Sequence, residues 1–282
     1  MQKNSLDSRL IRLALKEDTG KGDITTKALG LRGRTGKAEV TAKSKGVISG
    51  INQFKLVFRI LSPKVKFKDY NKNGAKVSTG DCVIGITGPL DALLTGERTA
   101  MNVLAHLSGV ATLTAKFVEK VKRFPVKILD TRKTMPGMRT WEKAAVKHGG
   151  GSNHRQGLYD MYLVKENHMA AAGGILVALG KVRRSSLRTG AKIEVEVRSI
   201  SELKLVLPYN PDYILLDNFS LPDLKKAVEI TRIKSKKSLL EASGNINLKN
   251  VNRVATTGVD RVSIGALTHS APALDLSFRI LD

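Results

Sequence analysis

Residues 130–168 read DTRKTMPGMRTWEKAAVKHGGGSNHRQGLYDMYLVKENH and gather Arg132, Lys133, Arg139, His154, Arg155 and Lys165 among glycines and a proline. The turn Pro136–Gly137 and the glycine run 149–151 allow a backbone to approach a ligand closely, while forked guanidinium groups and lysines supply donors for carboxylates or phosphates. An isolated Arg or Lys in such a loop is ordinary solvated polarity. This many in one segment suits capture of a small polyanion. His154 has two readings. As a metal ligand it needs further His, Cys or carboxylate partners at suitable spacing, and His148 and His168 form no such motif,. A hydrogen bond to an anionic ligand, or a structural bond, is therefore expected.

A complementary set of acids follows. Glu194 and Glu196 alternate in KIEVEV and so share one face of a strand,. Two acids turned into a barrel are costly unless paired with cations or a metal. Asp217 ends the next apolar run, so Glu196 and Asp217 could share a magnesium ion bound to a diphosphate; internal ion pairs with Lys165 and Arg132 are the alternative. Downstream, EASGNI (241–246) and SIGALTHS (263–270) are strand–loop–helix junctions. There Ser243, Gly244, Asn245 and Gly265 offer backbone N–H groups and small side chains suited to a phosphate.

The elements that must position these residues change character near residue 125. Before it, a helix around Asp7–Lys16, strands at 37–43, 46–50 and 81–88, and one or two helices over 97–123 are expected,. After it, short apolar runs recur at 126–130, 161–165, 192–197, 212–217, 238–243 and 260–265. Helical patterns lie at 140–148, 174–188, 201–207, 221–230 and 248–256. Alternation of this kind implies βαβ units and a parallel sheet or barrel. Asp130, Lys165, Glu196, Asp217, Glu241 and Ser243 all fall at or near strand C-termini, where βα loops converge on an α/β-barrel active site.

Composition narrows the classes. The chain has 282 residues, 41% of them hydrophobic, which supports a sizeable core in one large or two unequal domains,. Lys and Arg number 48 against 25 acids, a net charge of +23. The lysines are scattered rather than clustered, and 5% aromatics leave little for base stacking, so the excess reads as solvated surface and not as a nucleic-acid interface,. No apolar stretch approaches a bilayer span, and the N-terminus lacks a secretory pattern, so neither a membrane nor export is expected. Cys82, the single cysteine, cannot form an internal disulfide, which fits a reducing cytoplasm; it reads as a packed thiol,.

In order along the chain, EDTGKGDITT (17–26), ERTAMNVLAHLSGVAT (97–112), LDTRKTMPGMRTWEKAAVKHGGGSNHR (129–155), LVKENH (163–168), IEVEV (193–197), LLDNF (215–219), EASGNI (241–246) and TGVDRVSIGALTHSAPALDLS (257–277) closely resemble quinolinate phosphoribosyltransferase. The resemblance implies an α/β fold with an N-terminal α/β sandwich domain (1–110, rejoined by the tail 270–282) and a C-terminal open α/β barrel (111–269). It implies a homodimer in which Arg98 completes the neighbouring site. It also implies that Arg132, Lys133, His154, Arg155 and Lys165, with Arg139 nearby, bind quinolinate. Glu196 and Asp217 would hold the ribose hydroxyls and Mg2+ of phosphoribosyl pyrophosphate, and Ser243, Gly244, Asn245 and Gly265 its 5-phosphate. Lys133, Lys165, Glu196 and Asp217 are the residues expected to carry the chemistry. Asn245 departs from the pattern, since many relatives have a second glycine there; Asn tolerates the same backbone region better than most residues. A related phosphoribosyltransferase for another base, a nucleic-acid-binding protein and a catalytically silent scaffold are the competing readings.

Overall fold

A computed structural model describes residues 5–281, which divide into two compact units. The first holds the chain through Ala115, Pro136–Gly150, and the tail from Ala271 onward; the second holds Lys116–Met135 and Gly151–Ser270.

The first unit begins with α1 (Leu6–Thr19), whose N-terminus is capped by the Ser5 side chain accepting from the Ser8 amide, and α2 (Ile24–Ala28). Strands β1 (Thr35–Ala42) and β2 (Gly46–Val47) follow, then α3 (Ile51–Leu61), β3 (Lys66–Asp69), β4 (Lys76–Val77), β5 (Cys82–Pro89) and the long α4 (Leu90–Val121). An antiparallel sheet has the order β12-β1-β5-β3, with β12 being Leu276–Leu281, and β2 pairs with β4. Alternation in β1 buries Ala38, Val40 and Ala42, the period-2 pattern of a strand with one covered face,. Phe54 and Phe58 of α3 meet edge to face at 5.1 Å, and Phe58 stacks on Phe278 of β12 at 6.2 Å.

The second unit contains β6 (Lys127–Leu129), β7 (Tyr162–Val164), α6 (Glu166–Ala172), α7 (Ile175–Thr189), β8 (Ile193–Val197), α8 (Ile200–Val206), β9 (Tyr213–Asp217), α9 (Leu221–Lys234), β10 (Leu239–Ser243), α10 (Val251–Ala255), β11 (Arg261–Ser263) and α11 (Ala266–His269). Its sheet has the order β6-β11-β10-β9-β8-β7, every adjacent pair parallel. β6 and β7 form its two edges, so this is a barrel left open on one side. The six expected strands and most of the expected helices are present; α6 is an additional helix, immediately after Lys165. Serines at the βα turns set the helix starts: Ser199 accepts from the Glu202 amide and Ser220 from the Asp223 amide,.

The division differs from a single boundary at 110/111. It falls inside α4, and residues 136–150, expected within the barrel, group with the first unit. The helix they form, α5 (Arg139–His148), is tied there by His148 Nδ1 to Ser49 Oγ at 2.8 Å and by Glu142 Oε1 to His106 Nε2 at 2.7 Å. Gly149 closes the segment where a side chain would strike the Ala111 carbonyl. Among the described residues no helix is long and apolar enough to cross a membrane.

Candidate active site

At the C-terminal ends of the barrel strands lies a cavity of about 790 Å3. Eleven expected residues line it: Arg132, Lys133, His154, Arg155, Lys165, Glu196, Asp217, Ser243, Gly244, Asn245 and Gly265. Arg98, exposed on α4, and Arg139, which opens α5, belong to the first unit.

The cationic side is built on β6 and the chain after it. Asp130, fully buried at the end of β6, accepts from the His154 amide at 2.9 Å and from the Asn153 side chain, fixing the segment that presents His154 and Arg155. The backbone carbonyl of Lys133 is held by Thr268 Oγ1 at 2.7 Å. Gly265 borders the Lys133 side chain closely, since a Cβ there would sit 3.0 Å from Lys133 Cδ and 3.1 Å from His269 Nε2. Burial and the charge of Arg132 lower the pKa of Arg155, which remains a cation and donates to the Met161 carbonyl at 3.2 Å,. Lys165 Nζ donates to Glu196 Oε2 at 2.9 Å.

The acidic side lies on β8 and β9. Glu196 and Asp217 are bridged by Arg198, whose guanidinium is 3.8 Å from Glu196 and 4.0 Å from Asp217 and also pairs with Glu166. Beside them, at the end of β10, which pairs with β9, Gly244 (φ 94°) and Asn245 (φ 52°) turn the chain in left-handed conformations.

Below the cavity, β8 and β10 bring Glu194 and Glu241 to His154. The three offer ligand atoms within 4.8 Å of one another, so carboxylates stand beside His154 although the histidines near it in sequence form no metal motif. Sequence spacing hid them because they arrive from strands 40 and 87 residues away. Arg261, stacked 4.0 Å over the Tyr213 ring, places Nε 3.2 Å from Glu241 and supplies a resident positive charge. His154 Nε2 is 2.9 Å from Glu194 and 3.4 Å from Glu241. These oxygens lack well-aligned hydrogen bonds, so ion pairing describes the cluster better than directed bonding.

Burial alone would lower the His154 pKa, but the two carboxylates outweigh it and push it up to about 9. Burial and the charge of Glu241 raise Glu194. Burial would raise Glu241 too, but His154 and Arg261 hold it below the usual carboxylate range. The Arg155 amide points at His154 Nδ1 at 2.7 Å, which favours a bare Nδ1, whereas the carboxylates favour a second proton. Both require a proton on Nε2, and that assignment stands.

Residues 23–108 match the N-terminal domain of quinolinate phosphoribosyl transferase, and residues 110–279 match its C-terminal domain. The chain belongs to the quinolinate phosphoribosyltransferase family. It is similar to the nicotinate-nucleotide pyrophosphorylase [carboxylating] of Mycobacterium leprae, 40% identical over 271 residues covering 94% of each chain. It is 38% identical over 288 residues to quinolinate phosphoribosyltransferase [decarboxylating] 2b of Nicotiana tabacum, covering 96% of this chain and 81% of that one. The nicotinate-nucleotide pyrophosphorylase structure from Francisella tularensis superimposes with a TM-score of 0.92 at 38% identity, covering 98% and 96%. As a family member the chain has the expected architecture, an N-terminal sheet domain and an α/β barrel.

Sequence reasoning missed Arg198, Asn218 and His269 at the cavity wall. Arg198 had a signal, because 194, 196 and 198 alternate onto one face. Asn218 had none beyond following the end of β9, and His269, the last residue of α11, had none.

Proposed function

We propose that this chain is an enzyme that joins the ring nitrogen of quinolinate to the anomeric carbon of phosphoribosyl pyrophosphate, releasing pyrophosphate and CO2 and forming nicotinate mononucleotide for NAD biosynthesis. One observation carries the reading. A single cavity sets Arg132, Lys133, His154, Arg155 and Lys165 against Glu196, Asp217 and the turn at 243–245. That arrangement suits a dicarboxylate meeting a phosphorylated sugar.

The chemistry follows from the charges. The cations take the two carboxylates of quinolinate and hold its nitrogen toward the sugar, converting an encounter into a positioned reaction. The nitrogen lone pair forms the bond to the anomeric carbon as the bond to pyrophosphate breaks, and Glu196 and Asp217 stabilise the positive charge that develops on the ribose. The ring nitrogen is then cationic. Its positive charge stabilises the electron pair left on C2 as the 2-carboxylate departs as CO2, and that pair takes a proton from water. Lys133 and Lys165 are the cations placed for these steps; no general base is required for transfer.

Glu196 and Asp217 also suit magnesium, a hard ion that takes one or two carboxylates and completes its shell with phosphate and water. Bound there, it would neutralise the leaving pyrophosphate. Arg198 is the protein's own positive charge between the same two acids. Ser243, Gly244, Asn245 and Gly265 would receive the 5-phosphate through backbone N–H groups. The working unit is a homodimer in which Arg98, exposed on α4, reaches the partner's site, with Arg139 near the substrate. Its setting is the cytoplasm, in keeping with the free thiol of Cys82.

Incubation with phosphoribosyl pyrophosphate, Mg2+ and either quinolinate or nicotinate tests this. Quinolinate should give nicotinate mononucleotide and nicotinate should not; the reverse preference would assign the cavity to another base.

A further inference from the structure

Asn245 stands where a glycine would satisfy the backbone at no steric cost, so its side chain is the feature to explain. Its Nδ2 donates to Asn218 Oδ1 at 3.1 Å. Asn218 in turn donates through Nδ2 to Asp217 Oδ2 at 3.0 Å, and its own amide donates to the Ser243 carbonyl at 2.9 Å. Both asparagines occupy the left-handed region, at φ 57° and φ 52°. The Asn245 carbonyl accepts from Asn250 Nδ2 at 3.0 Å and from Asn247 Nδ2 at 3.4 Å. Gly244 lies so close beneath that a Cβ would come within 2.1 Å of Asn218 Oδ1. β9 and β10 pair Asp217 with Ser243 directly, so the amide of Asn218 spans adjacent strand ends.

We propose that Asn218 and Asn245 form an amide latch that couples the carboxylate of Asp217 to the 243–245 turn, making both positioning residues for phosphoribosyl pyrophosphate. The inference rests on the ligand placement proposed above. The Asn218 side-chain amide uses one end for Asp217 on the sugar side and the other for Asn245 on the phosphate side. Closing the turn around a phosphate therefore also fixes the Asp217 carboxylate through its Oδ2, and a ribose held by Asp217 keeps the turn closed. Glycine at 245 would give the same backbone without the coupling.

Asn245→Gly and Asn218→Gly open the latch while leaving both left-handed backbones unstrained. Losing one such bond should raise KM for phosphoribosyl pyrophosphate about 3- to 10-fold, with a much smaller change in KM for quinolinate. Asn218→Gly should have the larger effect, because it releases both ends. The double variant should match Asn218→Gly alone, since the second change removes a bond already broken. An unchanged KM for phosphoribosyl pyrophosphate in Asn245→Gly, or fully additive effects in the double variant, would overturn the latch while leaving the activity in place. Wild-type protein that binds no phosphoribosyl pyrophosphate by calorimetry would overturn both the latch and the reading beneath it.

Discussion

Lys165 Nζ lies 2.9 Å from Glu196 Oε2, with the lysine side chain 47% exposed to the cavity and the glutamate 8%. The pair joins the end of β7 to the face of β8. It satisfies a nearly buried carboxylate while leaving much of the ammonium group open to a ligand. Its stabilising value is small because water reaches it.

Lys165→Ala should therefore leave the melting temperature within a few degrees while lowering kcat/KM for quinolinate by about 100-fold or more, the scale for removing one preorganised charged donor. Steady-state kinetics alongside thermal melts check this. Unfolding without a kinetic change in the surviving fraction would make the pair structural.

Lys133 is anchored through its backbone carbonyl by Thr268, so truncating its side chain removes chemistry rather than packing. Lys133→Ala should fold normally and abolish turnover. A near-normal rate would refute its role.

His154 makes a pH prediction. Its pKa is raised from 6.5 to about 9, so the folded state holds the proton more tightly than the unfolded chain. The associated stability is fully present below pH 6.5 and lost as pH rises through about 9. Thermal stability should fall across that window in the wild type and much less in His154→Gln. Parallel profiles would show that the Arg155 amide keeps Nδ1 bare and that His154 does not titrate there.

Arg98 tests the shared site. Arg98→Ala and Lys133→Ala should each be inactive alone, yet a mixture allowed to exchange subunits should regain partial activity, because some dimers then contain one intact site. No recovery despite verified exchange would place Arg98 in its own protomer's chemistry or outside it.

The barrel was legible because each of its strands is an apolar run ending in a polar residue, and the same ending marked Glu196 and Asp217. The assignment of 136–150 was not legible. Its helix carries the charged pattern of a barrel loop, while its allegiance is set by Ser49 and His106, far away in sequence. The Glu194–His154–Glu241 cluster stayed hidden for a related reason. Alternation showed that Glu194 faces inward, but only the strand order shows which histidine it meets. Asn245 was visible as a departure from glycine, and its partner Asn218 became apparent only with the left-handed geometry of both residues.

The most direct test follows two products of one reaction. With quinolinate labelled in the 2-carboxylate, phosphoribosyl pyrophosphate and Mg2+, the protein should release labelled CO2 and pyrophosphate in equal amounts, both matching the nicotinate mononucleotide formed. Folded protein that releases neither, or pyrophosphate without CO2, would contradict the account.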